Sequence, residues 1–211
     1  MTFILEVIGT VTFAFAGALV AIDNDLDWLG INLMAVCTAC GGGMTRDIIL
    51  GNTPPMMFRN PVYVLIAVAS AFITIAIYKP LIKSRYKNDI LFIINTLDAV
   101  GLAIFTIVGM QIASNVGFSD NGFLVCFVGV LSAVGGGLLR DIMVNRTPVI
   151  LQKEIYATAS MAGSLIYYFS WGFMDDIVGS GIAMVLIFGI RMWALRKNVN
   201  LPYVKKSEEK K

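Results

Sequence analysis

Two short stretches hold most of the chemistry-bearing residues of this chain. Residues 41–54 read GGGMTRDIILGNTP and residues 135–148 read GGGLLRDIMVNRTP, identical at eight of fourteen positions. Each carries a glycine triplet and, three residues on, an adjacent arginine and aspartate: Arg46–Asp47 and Arg140–Asp141. Two more carboxylates, Glu6 and Asp98, lie within apolar runs. Charges in such surroundings are costly and mark pathways or ion pairs by default. Glu6 is near the end of its run, within reach of an interface, whereas Asp98 is deeper and the better pathway candidate.

These residue types exclude several chemistries. There is no histidine, hence neither the commonest metal ligand nor the usual general base at neutral pH. Cys37-x-x-Cys40 has no second half, and with Cys126 reads as small apolar packing. A phosphate cradle needs G-x-x-x-x-G-K-[ST], and no such lysine follows either triplet. An aspartyl protease needs two aspartates sharing a proton; here each follows an arginine. No enzyme activity, metal or cofactor is expected. The basic residues fall between apolar stretches, so they read as loop anchors and not as a nucleic-acid face.

The elements that position these residues are membrane helices. Of 211 residues, 57% are hydrophobic and 14% charged, against roughly 25% charged in soluble domains. A bilayer crossing takes about 20 apolar residues, and backbone in hydrocarbon must be helical. Seven stretches qualify or nearly so: 3–22, 28–45, 62–78, 90–112, 122–139, 155–174 and 177–195. The run Ala14-Phe15-Ala16 resembles a signal cleavage site. With no basic residue ahead of it and Glu6 inside, it reads as part of a retained first span. Arg191, in the seventh stretch, is placed to snorkel to the interface.

Seven spans put the termini on opposite sides. Fourteen basic residues then fall on the side of the C-terminus and two, Arg46 and Arg59, on the other. The positive-inside rule places the N-terminus outside and the C-terminus in the cytoplasm. One membrane domain, 1–197, precedes a polar tail, 198–211.

The repetition extends upstream of the motif. Glu6, Gly9, Phe13 and Gly17 match Asp98, Gly101, Phe105 and Gly109 at an offset of 92, and the motif itself repeats at 94. The unit is three spans, about 1–79, repeated at about 90–174, with a seventh helix at about 177–195. An odd number of spans inverts the second copy, a plan recurrent in transport proteins.

Three successive glycines cost a helix about 1 kcal/mol each relative to alanine. Either they admit a close helix neighbour, or they bend or break the helix and free carbonyls for a cation. Both readings apply to Gly41, Gly42 and Gly43 and to Gly135, Gly136 and Gly137. Neighbours at i and i+1 point about 100° apart on a helix, so each arginine is expected to pair across the repeats and not with its own aspartate. Thr53-Pro54 and Thr147-Pro148 mark loops after the motif.

The doubled GGGxxRD motif, the span count and the outside N-terminus resemble the prokaryotic TRIC (trimeric intracellular cation) channel family, bacterial proteins with glycine-transporter-type repeats. The resemblance covers about 1–197. It implies an inner-membrane homotrimer among lipids, each protomer conducting potassium and sodium through its own pore between the repeats. It also implies helices bent at the two glycine triplets, and pore or gate residues at Thr45, Arg46, Asp47, Ser132, Arg140 and Asp141, beside the Asp98 already singled out. Animal members carry lysine in the motif, so their calcium and lipid sites are not carried over. Arginines beside a cation path would repel cations unless neutralised. The runner-up is a secondary transporter for a small amino acid such as glycine; a third reading is a structural membrane protein with no pathway.

Overall fold

The computed structural model describes residues 2–82, 87–152 and 155–197, and all regular structure in them is helical. The order is α1 (Thr2–Asp23), α2 (Trp28–Ile49), α3 (Met56–Arg59), α4 (Val62–Ile82), α5 (Lys87–Ala113), α6 (Gly122–Met143), α7 (Val149–Gln152), α8 (Ala157–Ser170) and α9 (Asp176–Lys197). A π-helical turn, Ser114–Phe118, extends α5. Lys83, Arg85, Lys153 and the tail 198–211, with its basic residues, lie outside the described residues.

Among the described residues four stretches are long and apolar enough to cross a membrane: α1, Ile90–Phe118, α6 and α9. The third expected span is a shorter apolar stretch, Val62–Tyr78. The sixth is shorter than expected: α8 has 14 residues, about 21 Å of helix. It stops at Trp171, whose backbone is extended, before Gly172 turns the chain at φ 86°. The second is longer than expected, because α2 runs on through Arg46 and Asp47 to Ile49.

The two repeats use the same local devices. Asp27 caps α2 by accepting from the Gly30 N–H at 2.7 Å, and Asn121 caps α6 by accepting from the Leu124 N–H at 3.0 Å. Both helices end in the same double-bonded turn. The Asn52 N–H reaches the Asp47 carbonyl and the Gly51 N–H that of Ile48; Arg146 and Asn145 do the same to Asp141 and Ile142. The turn needs a left-handed residue, supplied by Gly51 (φ 69°) and Asn145 (φ 52°).

The centre of the molecule is where α1 packs on α5 and α2 on α6. A Cβ at Gly42 would run into the Ser132 carbonyl, and one at Gly136 into that of Thr38. A Cβ at Gly101 would meet the Phe13 ring, and one at Gly9 the Phe105 ring. Every such contact has its reciprocal, as at a two-fold axis. In both helix pairs rising numbers on one helix meet falling numbers on the other, so the paired helices run antiparallel. Phe13 and Phe105, themselves repeat equivalents, stack at 5.3 Å between ring centres.

The packing bears on the two readings of the triplets. Both α2 and α6 are unbroken α-helices through Gly41–Gly43 and Gly135–Gly137. The expected helix break is therefore corrected: the glycines admit a neighbouring backbone, and each triplet sits within a continuous hydrogen-bonded helix. Gly43 and Gly137 face elsewhere, toward the guanidinium groups of Arg46 and Arg140.

Candidate functional site

Each motif aspartate joins two elements. Asp47 Oδ1 accepts from Arg46 Nε at 2.8 Å, and its Oδ2 accepts from the Met56 N–H at 2.8 Å, at the start of α3. Asp141 does the same with Arg140 Nε at 2.9 Å and the Val149 N–H at 2.9 Å, at the start of α7. A carboxylate at a helix N-terminus is favourable. The position one turn beyond the motif is fixed by the same group that neutralises the arginine.

This corrects the expected cross-repeat pairing. Arg46 pairs with its own neighbour, and Arg140 pairs with Asp141 and with Asp98 of the same repeat, Nη1 to Oδ1 at 2.8 Å. The 100° offset holds for the Cα–Cβ directions. The arginine side chain is long enough to lie along the helix surface and bring Nε back to the next residue. Burial does the rest: Arg46, Asp47, Asp98, Arg140 and Asp141 each expose 5% or less. A buried arginine without its carboxylate is strongly unfavourable.

Glu6 takes the place of Asp98 in the first repeat. Its Oε2 accepts from the Tyr63 hydroxyl at 2.6 Å, and it lines a cavity of about 40 Å³ with Thr10, Cys40, Arg46, Asp47 and Phe105. In the second repeat Tyr156 Oη, Asp98 Oδ1 and Arg140 Nη2 converge around Gly137. Tyr63 and Tyr156 were not read from the sequence. Their separation of 93, between the two repeat offsets, is a signal that could have found them.

The remaining site residues are placed apart from these clusters. Thr45 bonds back to the Gly41 carbonyl at 2.9 Å. Ser132 is buried against Gly109, its hydroxyl without a hydrogen-bond partner. Among the described residues no group of three or more His, Cys, Asp or Glu side chains could hold a metal ion. A separate polar cluster joins Gln111, Tyr167 and Asp176.

The family model described as Glycine transporter matches residues 3–79 and 95–172. The chain belongs to this family. It is similar to the UPF0126 inner membrane protein YadS of Escherichia coli (strain K12), 33% identical over 202 residues, covering 94% of this chain and 93% of YadS. It is likewise similar to the UPF0126 membrane protein YvgT of Bacillus subtilis (strain 168), 33% identical over 199 residues and 94% of each chain. Its fold is similar to a solved prokaryotic TRIC channel in 0.5 M KCl, with a TM-score of 0.86, 32% identity, and 95% and 98% of the two chains covered. The TRIC trimeric intracellular cation channel orthologue from Rhodobacter sphaeroides follows at 0.84, 31% identity, 94% and 98%. This Glycine transporter family chain is a multi-pass membrane protein of the prokaryotic TRIC type. The family match stops before α9, yet α9 reaches the site. Arg191 does not snorkel as expected: it is 2% exposed, with its guanidinium carbon 4.9 Å from the Tyr156 ring centre.

Proposed function

We propose that this protein is a homotrimeric channel for potassium and sodium, with one pore per protomer between two inverted three-helix repeats. It crosses the inner membrane seven times, with the N-terminus outside and the C-terminus in the cytoplasm. Removing the buried Arg46, Arg140 and Arg191 from the loop tally leaves the charge bias as steep. The helix triplets α1, α2, α4 and α5, α6, α8 form the repeats, and α9 is appended.

One observation carries this reading. Each motif arginine, the main objection to a cation path, is bonded to its own aspartate. The first-repeat cluster of Glu6, Arg46 and Asp47 then has one net negative charge and opens on a cavity. A cation is favoured there electrostatically. Arg46, Asp47, Asp98, Arg140 and Asp141 hold and gate the path; Thr45 and Ser132 line it. The named neighbours, solved as TRIC cation channels, support the same reading.

The family description, Glycine transporter, favours a second reading: a carrier for a small amino acid. Single-channel recording of purified protein in a planar bilayer separates the two. Unitary currents in potassium chloride are expected. Substrate-coupled uptake into proteoliposomes without unitary currents would replace the channel by the carrier.

A further inference from the structure

The two charge clusters are built from corresponding repeat residues, although Asp98 bonds Arg140 where Glu6 bonds Tyr63, and the second has an addition from outside the repeats. Glu6 and Asp98, Arg46 and Arg140, Asp47 and Asp141, and Tyr63 and Tyr156 correspond. Arg191 has no counterpart, because α9 lies beyond both family matches. Its Nε and Nη2 are buried and, among the described residues, donate to no acceptor. Stacking on Tyr156 accounts for the guanidinium face but satisfies neither N–H. Among the described residues it has no carboxylate of its own, so its charge adds to that of Arg140.

The balance of charges then differs between the clusters. Glu6 and Asp47 exceed Arg46 by one negative charge. Asp98 and Asp141 are matched by Arg140 and Arg191, leaving none. We propose that Arg191 is a selectivity-determining residue whose charge prevents the second-repeat cluster from holding a cation, so that the first-repeat cavity is the cation's resting place. The proposal rests on the conduction reading. Arg191 acts through the field it adds, not by contact with the ion. In a medium of effective dielectric about 20, removing one unit charge this close to the cluster changes occupancy by at least about tenfold.

Two measurements on full-length protein test this with R191M, R191Q and R191K. Equilibrium binding of thallous ion, a potassium surrogate, should show one site in the wild type and in R191K, and a second in the neutral variants. Single-channel conductance at low salt should rise several-fold in R191M or R191Q and stay at the wild-type value in R191K. Two neutral variants keep the test available if one fails to fold. One site in a folded neutral variant overturns the proposal, as does an equal change in R191K and R191M. A second thallous site in the neutral variants without unitary currents in any protein would retain the charge balance and reject conduction.

Discussion

Alanine placed along one glycine triplet separates close packing from every other role, because the three positions face different surroundings. At Gly42 the new methyl would lie 3.0 Å from the Ser132 carbonyl carbon and closer still to its oxygen. Those atoms belong to a helix backbone and cannot swing aside, so α2 and α6 must separate by about an ångström. Overpacking of this kind costs about 1–3 kcal/mol, and a backbone obstacle falls at the upper end. Alanine returns about 1 kcal/mol of helix propensity, leaving a net loss of about 2 kcal/mol. At Gly43 the nearest atom is Arg46 Nη2 at 3.6 Å, an ordinary contact. There the propensity gain stands alone, about 1 kcal/mol in the stabilising direction. The two variants should differ by about 3 kcal/mol, or roughly 6–12 °C in melting temperature for a chain of this size. Thermal unfolding in detergent, read by the surviving monodisperse fraction on size exclusion, measures it. Gly136→Ala should repeat the Gly42→Ala loss against Thr38, and Gly41→Ala should be mild because its obstacle is the end of the Leu139 side chain. Equal effects at 42 and 43, or no loss at 42, would refute close approach as the reason for the triplet.

The other expectations are smaller in scope. Asp141→Asn leaves Arg140 with only Asp98 and should cost about 3–5 kcal/mol, the range for breaking a buried pair, seen as lost folded yield. Charge reversal across the repeats, Arg46→Asp with Asp141→Arg, should give no rescue over the single variants; recovery of folded protein would restore the cross-repeat pairing. Tyr63→Phe removes the donor to Glu6 and should cost about 1.5–3 kcal/mol, the range for a bond to a charged group, with a matching fall in melting temperature. Arg146→Gln cuts an exposed pair with Asp23, 3.0 Å long, and should change stability by less than about 1 kcal/mol; a larger shift would show that the contact does more than the geometry allows.

The pairing of the two repeats was legible in the sequence, and the contacts that each repeat makes were not. The offset of 92 pairs Glu6 with Asp98 and Phe13 with Phe105, and the two phenylalanines stack on each other where α1 crosses α5. The choice between a broken helix and close approach at the triplets stayed open, because glycine serves both and only the neighbouring backbone distinguishes them. The ion pairs were misread because a rule about side-chain directions was applied to arginine, whose length removes the restriction. Arg191 was misread for a related reason: hydropathy gives a residue's place along its helix but not which side faces the interior. Tyr63 and Tyr156 were missed since an aromatic in an apolar run carries no sign of the carboxylate it serves.

The corrected pairing changes what the duplication requires. Had the arginines paired across the repeats, neither half could form without the other, and docking would have to bring four buried charges into register at once. With each arginine held by its own aspartate, a repeat neutralises its motif before it meets its partner. The buried surface it then offers is glycine, phenylalanine and backbone carbonyl, which needs close fit, and the charge pair across it, Asp23 with Arg146, is exposed. Such an interface tolerates an inverted copy, because a two-fold axis presents each glycine with the same carbonyl and each phenylalanine with the same glycine. The charges remain on either side of that contact, one cluster per repeat, and the appended helix adds a charge to one of them.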